Sequence, residues 1–166
     1  NMMKTKVSIQ AGGTNQTVNE AIQEMFKEIY IDLGIVPLDL EALMTGWRGG
    51  AKADVNKDVQ AINVTHVTSD PFYAVNRFFA SDQMAPVGVN WSGYKNAEVD
   101  KLVLELKNSF DPAKQDELAA KAHALAVDDA AMIWVYHDTT PHALSDKIKS
   151  YTQAQSWFQD IGLVGV

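Results

Sequence analysis

The sequence predicts an α/β domain in which helices cover a mixed sheet. Segments with the apolar pattern of strands alternate along the chain with segments of helical periodicity. The first helical segment also has start and stop signals at its two ends. This order is typical of strand–helix–strand units with right-handed crossovers.

Two strands are predicted in the first forty residues. Residues 6–11 alternate polar and apolar side chains, as a half-buried strand does, and Gly12 and Gly13 interrupt the pattern. Residues 35–40 resume an extended apolar run.

A helix over residues 17–33 is predicted between these strands. Thr17 and Glu20 have the spacing of a capping box, and Gly34 is placed to be the C-cap. The expected buried stripe consists of Val18, Ala21, Ile22, Met25, Phe26, Ile29 and Leu33.

The middle of the chain predicts a short helix, a loop and a third strand. We expect the helix at 41–47, an exposed Gly-rich loop at 48–57 and a buried strand at 58–65. Pro71 then suits the first turn of another helix.

The second half begins with a long loop at 80–95, a length that is uncommon in a compact domain unless the loop has a function. Helices are predicted at 97–108 and 112–128, the second capped by Asp111. The apolar run 131–136 predicts a fourth strand of the same sheet.

Composition narrows the function classes. The chain has 166 residues, enough for one domain with a real core, and 14 Lys and Arg against 21 Asp and Glu give it a net charge of −7. A nucleic-acid partner is not expected, because binding it requires a basic surface. The sequence holds no apolar run of about 18 residues that would span a bilayer. It also has no Cys, which excludes disulfides, thiolate catalysis and Cys-ligated metals.

The motifs of catalysis and cofactor binding are missing. The Gly-rich stretch 46–52 fits neither phosphate-binding pattern, and Ser92 lacks the upstream Gly of a nucleophile elbow. The spacing of the histidines does not suit a metal site; they are His66, His123, His137 and His142. We therefore expect no cofactor, no metal and no enzymatic activity.

Aromatic residues concentrate in one part of the chain and leave two interpretations open. The residues concerned are Phe72, Tyr73, Phe78, Phe79 and Trp91. At helical spacing such residues are more often core than ligand contacts. Tyr73 and Trp91 lie off the buried stripe, so a ligand floor remains the alternative.

Four segments, in order, resemble the C-terminal lobe of the family 5 extracellular solute-binding proteins, the dipeptide, oligopeptide and nickel receptors of ABC importers. The opening strand–helix–strand is similar to the family's, and residues 58–71 are similar to its strand-to-helix passage ending in Asp-Pro. Residues 90–100, NWSGYKNAEVD, and residues 111–137, with DPAK near the start and YH at the end, resemble two further family stretches.

The resemblance implies one lobe of a type II periplasmic-binding-protein fold. Family members are much longer and have a second, N-terminal lobe, so we expect residues 1–166 to be a single C-terminal lobe from a longer receptor. An Asn ahead of Met2 fits this expectation. The implied partners are a small peptide-like or polar solute, the N-terminal lobe and the ABC permease subunits. The implied location is periplasmic or extracellular, associated with the membrane through the transporter.

The candidate ligand-binding segment lies where the predicted third strand gives way to the helix opened by Pro71. Strand ends of this kind bind ligands in open α/β sheets, and a helix N-terminus favours an acceptor or anion. Asp70 is expected mainly to cap the helix. The candidate contacts are Thr65, His66, Thr68, Ser69 and Asp70, with Asn90 and Trp91 on the facing loop.

One departure from the family bears on the solute. Peptide receptors of the family hold the peptide's amino group with an Asp three residues before the acidic-Pro pair, and Val67 stands at that position here. A buried ammonium would then lack its partner, which favours another polar or anionic solute.

Two alternatives come from other classes of protein. One is a small hydrolase that uses Asp70 or His66 with Ser69. The other is a stand-alone interaction domain.

Overall fold

The computed structural model describes residues 2–64, 70–137 and 142–152. The strands are β1 (Met3–Gln10), β2 (Ile31–Leu38) and β3 (Ala61–Ile62). The helices are α1 (Gly13–Glu28), α2 (Leu40–Gly49), α3 (Pro71–Phe79), α4 (Ala97–Lys107) and α5 (Pro112–Asp128). These residues fall into two compact units: residues 2–64 and 77–96 make the first, and residues 70–76, 97–137 and 142–152 make the second. The α/β class is confirmed.

The first unit is built on a parallel sheet with the order β2-β1-β3. One core cluster of this unit contains Val7 and Ile9 from β1 and Leu33 from β2, and Ile22 and Phe26 of α1 pack against it. These strand residues share one face because side chains alternate along a strand. The sequence predicts a mixed sheet; in the described part of the chain, all the strands run parallel.

The predicted boundaries of α1 are wrong at both ends. The helix begins at Gly13 after Gly12 at the N-cap, and Thr17 lies inside it, so no capping box forms. It ends at Glu28, and Gly34 is not its C-cap but pairs with Lys6 in the middle of β2. Pairing with β1 satisfies the backbone of this segment as a strand, and this outweighs the local stop signal.

The third strand is much shorter than the predicted 58–65. Only Ala61–Ile62 pairs with β1, and Ala61 is exposed. Upstream, the Gln60 side chain takes over part of the ladder, since its Oε1 accepts the Lys6 N–H at 2.9 Å. The expectation of a buried strand is therefore wrong in extent and in burial.

Helix α3 begins at Pro71 as predicted, and α5 begins at Pro112. The Asp111 carboxylate accepts the Ala113 N–H at 3.0 Å, which confirms the predicted cap.

Helices α4 and α5 pack against each other in the second unit. Their buried residues are Val99, Leu102, Val103, Leu106, Leu118, Ala119, Ala122 and Ala126.

Residues 131–136 do not form the predicted fourth strand. The segment is irregular, and its four large side chains from Ile133 to Tyr136 are exposed. The Trp134 ring lies 5.1 Å from the His123 ring on α5. An apolar run becomes a strand only where a neighbouring strand supplies the ladder, and no strand in the described ranges pairs with this one.

Between α3 and α4, residues 80–96 form the long loop that the sequence predicts, with one short 3-10 turn at Ser81–Gln83. Among the described residues, no helix has the length and apolar character needed to cross a bilayer.

Candidate functional site

The carboxyl ends of the three strands lie at one edge of the sheet, because the strands are parallel. β1 leads into the turn at Gly12 and Gly13, which have positive φ angles of 79° and 62°. β3 leads into Asn63, whose N–H donates to the Ser8 carbonyl at 2.8 Å. This is the edge at which open α/β sheets bind ligands. In the sequence, the predicted segment 65–69 comes shortly after β3.

Four of the candidate residues lie in that segment. Thr65, His66, Thr68 and Ser69 fall outside the described residues, and their roles stay predictions.

Asp70 caps α3 as expected. Its Oδ1 accepts the Tyr73 N–H at 2.7 Å, and its carbonyl accepts the Ala74 N–H at 3.2 Å. Pro71 has no N–H to offer. The Tyr73 donor is thus occupied, and the carboxylate at the helix start disfavours an anion there.

Asn90 is 1% exposed and organises the loop that carries Trp91. Its Nδ2 donates to the carbonyls of Ala80 at 3.1 Å and Tyr94 at 2.9 Å. Its Oδ1 accepts from the Tyr94 N–H at 3.1 Å and the Ser92 hydroxyl at 3.2 Å. With both amide atoms engaged inside the loop, Asn90 holds the backbone beside Trp91 in place.

Trp91 is half-buried and forms an aromatic cluster of the first unit together with Trp47 and Phe78. Its Nε1–H donates to the Trp47 carbonyl at 2.7 Å. Its ring centre lies 5.4 Å from that of Trp47 and 6.0 Å from that of Phe78. Because its polar atom is occupied, Trp91 can offer a ligand only its ring surface.

The core interpretation of the aromatic residues is confirmed for two of them, and the ligand-floor interpretation stays a prediction. Phe78 and Phe79 are buried core residues, and Phe79 packs edge-on against Tyr94 at 6.1 Å. Trp91 keeps an exposed portion, which leaves the ligand-floor interpretation open for that residue.

The sequence does not predict that Trp47 supports the candidate residue Trp91. Trp47 lies on α2, and its own buried Nε1–H has no hydrogen-bond partner among the described residues. Nothing local in the sequence marks it, since the partner ring is 44 residues away.

The charged groups of the described residues offer little further chemistry. No group of three His, Cys, Asp or Glu in these ranges could hold a metal ion. On the surface of α5, a hydrogen bond from Lys121 and the charge of Lys114 lower the pKa of Glu117. The same hydrogen bond raises the pKa of Lys121. Glu117 and Lys121 thus form an ion pair on the surface of α5.

Comparison with known proteins gives similarity in sequence and in fold. No protein-family model matches the chain. The probable D,D-dipeptide-binding periplasmic protein DdpA of Escherichia coli K12 is 27% identical over 119 residues, which are 72% of this chain and 23% of that protein. The solved structure of clavulanic acid biosynthesis oligopeptide binding protein 2 matches 88% of this chain with a TM-score of 0.76 and 20% identity, over 27% of its own length.

The oligopeptide-binding protein AppA of Bacillus subtilis, solved with a nonapeptide, matches 91% of this chain with a TM-score of 0.75 and 20% identity, over 29% of its own length. The chain thus spans between 23% and 29% of the length of these relatives. In sequence and in fold, it resembles one lobe of the family 5 extracellular solute-binding proteins, as its motifs predict.

Proposed function

We propose that the chain is a solute-binding part of an ABC importer receptor and contributes one wall of the cleft that captures a small peptide-like or polar solute. The sequence similarity to a protein named for binding D,D-dipeptides in the periplasm carries this proposal. The fold shared with two oligopeptide-binding proteins supports it.

Two parts of the chain are assigned to the solute. In the segment 65–70, His66, Thr68 and Ser69 supply hydrogen-bond donors and acceptors. In the loop 80–96, Trp91 supplies a ring surface that Asn90 holds in place. The Asp70 carboxylate at the start of α3 favours a neutral or zwitterionic solute over an anion.

The partners follow from the same proposal. An N-terminal lobe closes the cleft from the other side, and the loaded receptor delivers the solute to permease subunits. The place of action is the periplasm or the outer face of the cell. Since one wall buries only part of a ligand, we expect this chain alone to bind its solute far more weakly than a two-lobe receptor does.

A titration followed by NMR tests the proposal on the chain itself. D-Ala-D-Ala, L-Ala-L-Ala and inorganic phosphate are added separately to millimolar concentration. We expect a dipeptide to shift the amide signals of 65–70 and the indole signal of Trp91, and phosphate to shift neither. The absence of any shift with both dipeptides, or shifts confined to other residues, would overturn the assignment.

The same samples distinguish the alternatives. Free alanine appearing in the peptide spectrum would show hydrolysis and would favour the hydrolase. We expect the peptide to remain intact, because a binding protein releases its ligand unchanged.

A further inference from the structure

The outer edge of β2 is defined by its pairing with β1. The Met3 N–H donates to the Tyr30 carbonyl at 2.9 Å, and the Ala11 N–H donates to the Leu38 carbonyl at 2.8 Å. In a parallel pair a strand bonds its neighbour through alternate residues, so the even-numbered residues of β2 bond β1. The backbone groups that point outward belong to Ile31, Leu33, Ile35 and Pro37.

Such an edge is a template for strand addition. β2 is eight residues long and mostly apolar, and it is an outer strand of the described sheet. Exposed edges of this kind pair with other chains unless something interrupts the row of outward-facing N–H and C=O groups.

Two residues interrupt that row. Gln23 of α1 reaches over the edge, and its Nε2 donates to the outward carbonyl of Leu33. Pro37 occupies another outward position and has no N–H to donate. Between them, Ile35 keeps both groups pointing toward an added strand, as Ile31 does at the start of β2.

The role of Gln23 is specific to the edge. Gln16, on the same helix, bonds within its own surroundings, to the Gly12 N–H and to Glu20. Gln23 instead bonds a strand ten residues further along the chain. It therefore takes up a carbonyl that the sheet itself leaves open.

We infer that Gln23 and Pro37 prevent the β2 edge from pairing with a second copy of this chain. The suppressed complex is an antiparallel β2–β2 pair with two-fold symmetry, which would join two three-stranded sheets into one. By symmetry, each group restored on one copy is restored on both.

The test compares the full chain with the variants Gln23→Ala, Pro37→Val and their combination by sedimentation velocity over a range of concentrations. We expect the combined variant to self-associate at least about tenfold more tightly than the natural sequence, because each copy regains two bonding groups. Gln16→Ala is the matched control and should not change association. Pro37→Ala restores the N–H without adding a β-branched side chain, and should promote association in the same direction.

Hydrogen exchange locates the contact and also applies to the unmodified chain. In the combined variant, the amides of Leu33 and Ile35 should become protected as concentration rises. In the natural sequence their exchange should not depend on concentration, which keeps the inference testable if a variant fails to fold. A combined variant as monomeric as the natural chain, association of the Gln16→Ala control, or concentration-dependent protection of Ile35 in the natural sequence would each overturn it.

Discussion

The indole N–H of Trp91 donates a 2.7 Å hydrogen bond to the main-chain carbonyl of Trp47, a residue 44 positions earlier in the chain. The two rings lie 5.4 Å apart, so the bond and the ring contact together attach the loop 80–96 to α2. The loop is long but anchored, and the ring of Trp91 has a defined orientation for any ligand that it meets.

Trp91→Phe should separate the hydrogen bond from the ring contact. Phe keeps an aromatic ring against Trp47, but the Trp47 carbonyl then loses its hydrogen bond from the indole N–H. We therefore expect a loss of about 1 kcal/mol in the free energy of unfolding. Trp91→Ala removes the ring as well and should cost about 3 kcal/mol. Urea denaturation measures both, with Tyr136→Phe on an exposed ring as the control. A Trp91→Phe variant as stable as the natural chain would show that the bond contributes nothing.

Asn90→Ala should weaken the same loop from its centre. The change removes hydrogen bonds to Ala80, Ser92 and Tyr94 and leaves buried groups without partners, so we expect a loss of about 2–3 kcal/mol in unfolding free energy. Ser92→Ala is the control, since it deletes only one 3.2 Å bond of an exposed residue. Equal stabilities of the two variants would contradict a central role for Asn90.

Gly46→Ala should destabilise the first unit through a steric conflict. A Cβ at this position would lie 2.7 Å from Oδ1 of Asn56. Asn56 cannot easily move, because its Nδ2 donates to the carbonyls of Gly46 at 2.9 Å and Gly50 at 2.8 Å. We expect a cost of about 1–3 kcal/mol, seen as a lower melting temperature.

Gly34→Ala provides the comparison. There the Cβ would meet Cγ of Lys6 at 3.2 Å, and a flexible side chain can move aside. A loss of stability for Gly34→Ala as large as that for Gly46→Ala would place the conflict elsewhere.

The sequence predicts well those features of the fold that depend on neighbouring residues, such as helix caps. The sequence predicts Asp70 and Asp111 as caps because each cap and its helix are neighbours in the chain. The prediction of Gly34 as a C-cap is wrong because its strand pairing with Lys6 depends on a segment 28 residues away. The contact between Trp47 and Trp91 also joins distant parts of the chain, so no local pattern predicts it. Whether residues 131–136 form a strand likewise depends on a neighbouring strand to pair with, which the local pattern does not show. The motifs did lead to the fold, because their order along the chain is itself sequence information.

The ion pair on α5 makes the pH behaviour of one side chain predictable. Lys121 Nζ lies 2.6 Å from Glu117 Oε1. With its pKa lowered, Glu117 stabilises the folded chain above the unfolded pKa of a glutamate, and this contribution is lost as the pH falls through the folded pKa. Lys121, with its pKa raised, contributes below the unfolded pKa of a lysine and loses that contribution as the pH rises through its folded pKa.

Lys121→Gln should therefore raise the pKa of Glu117 toward its ordinary value. The rise should be partial, since Lys114 also lowers that pKa. An NMR pH titration of the Glu117 carboxyl carbon measures it, and Lys101→Gln on α4 is the control. Identical titration curves for the natural chain and Lys121→Gln would contradict the assignment. Because the pair is exposed, we expect little change in stability.

Val67→Asp tests the proposed solute contact directly. If 65–70 is the ligand segment, this change restores the carboxylate that peptide receptors of the family use, and it should raise the affinity for peptides with a free amino terminus. D-Ala-D-Ala should then bind at least about tenfold more tightly, a gain of about 1.4 kcal/mol. N-acetylated D-Ala-D-Ala lacks the ammonium and should gain nothing.

His66→Ala and Ser69→Ala should act in the opposite direction. Each is expected to remove a hydrogen bond to the solute and to weaken binding by about 1–3 kcal/mol while leaving the melting temperature unchanged. The NMR titration with D-Ala-D-Ala reports all three affinities. If Val67→Asp binds the free and the acetylated peptide alike, and neither alanine variant loses affinity, the solute does not bind at this strand end.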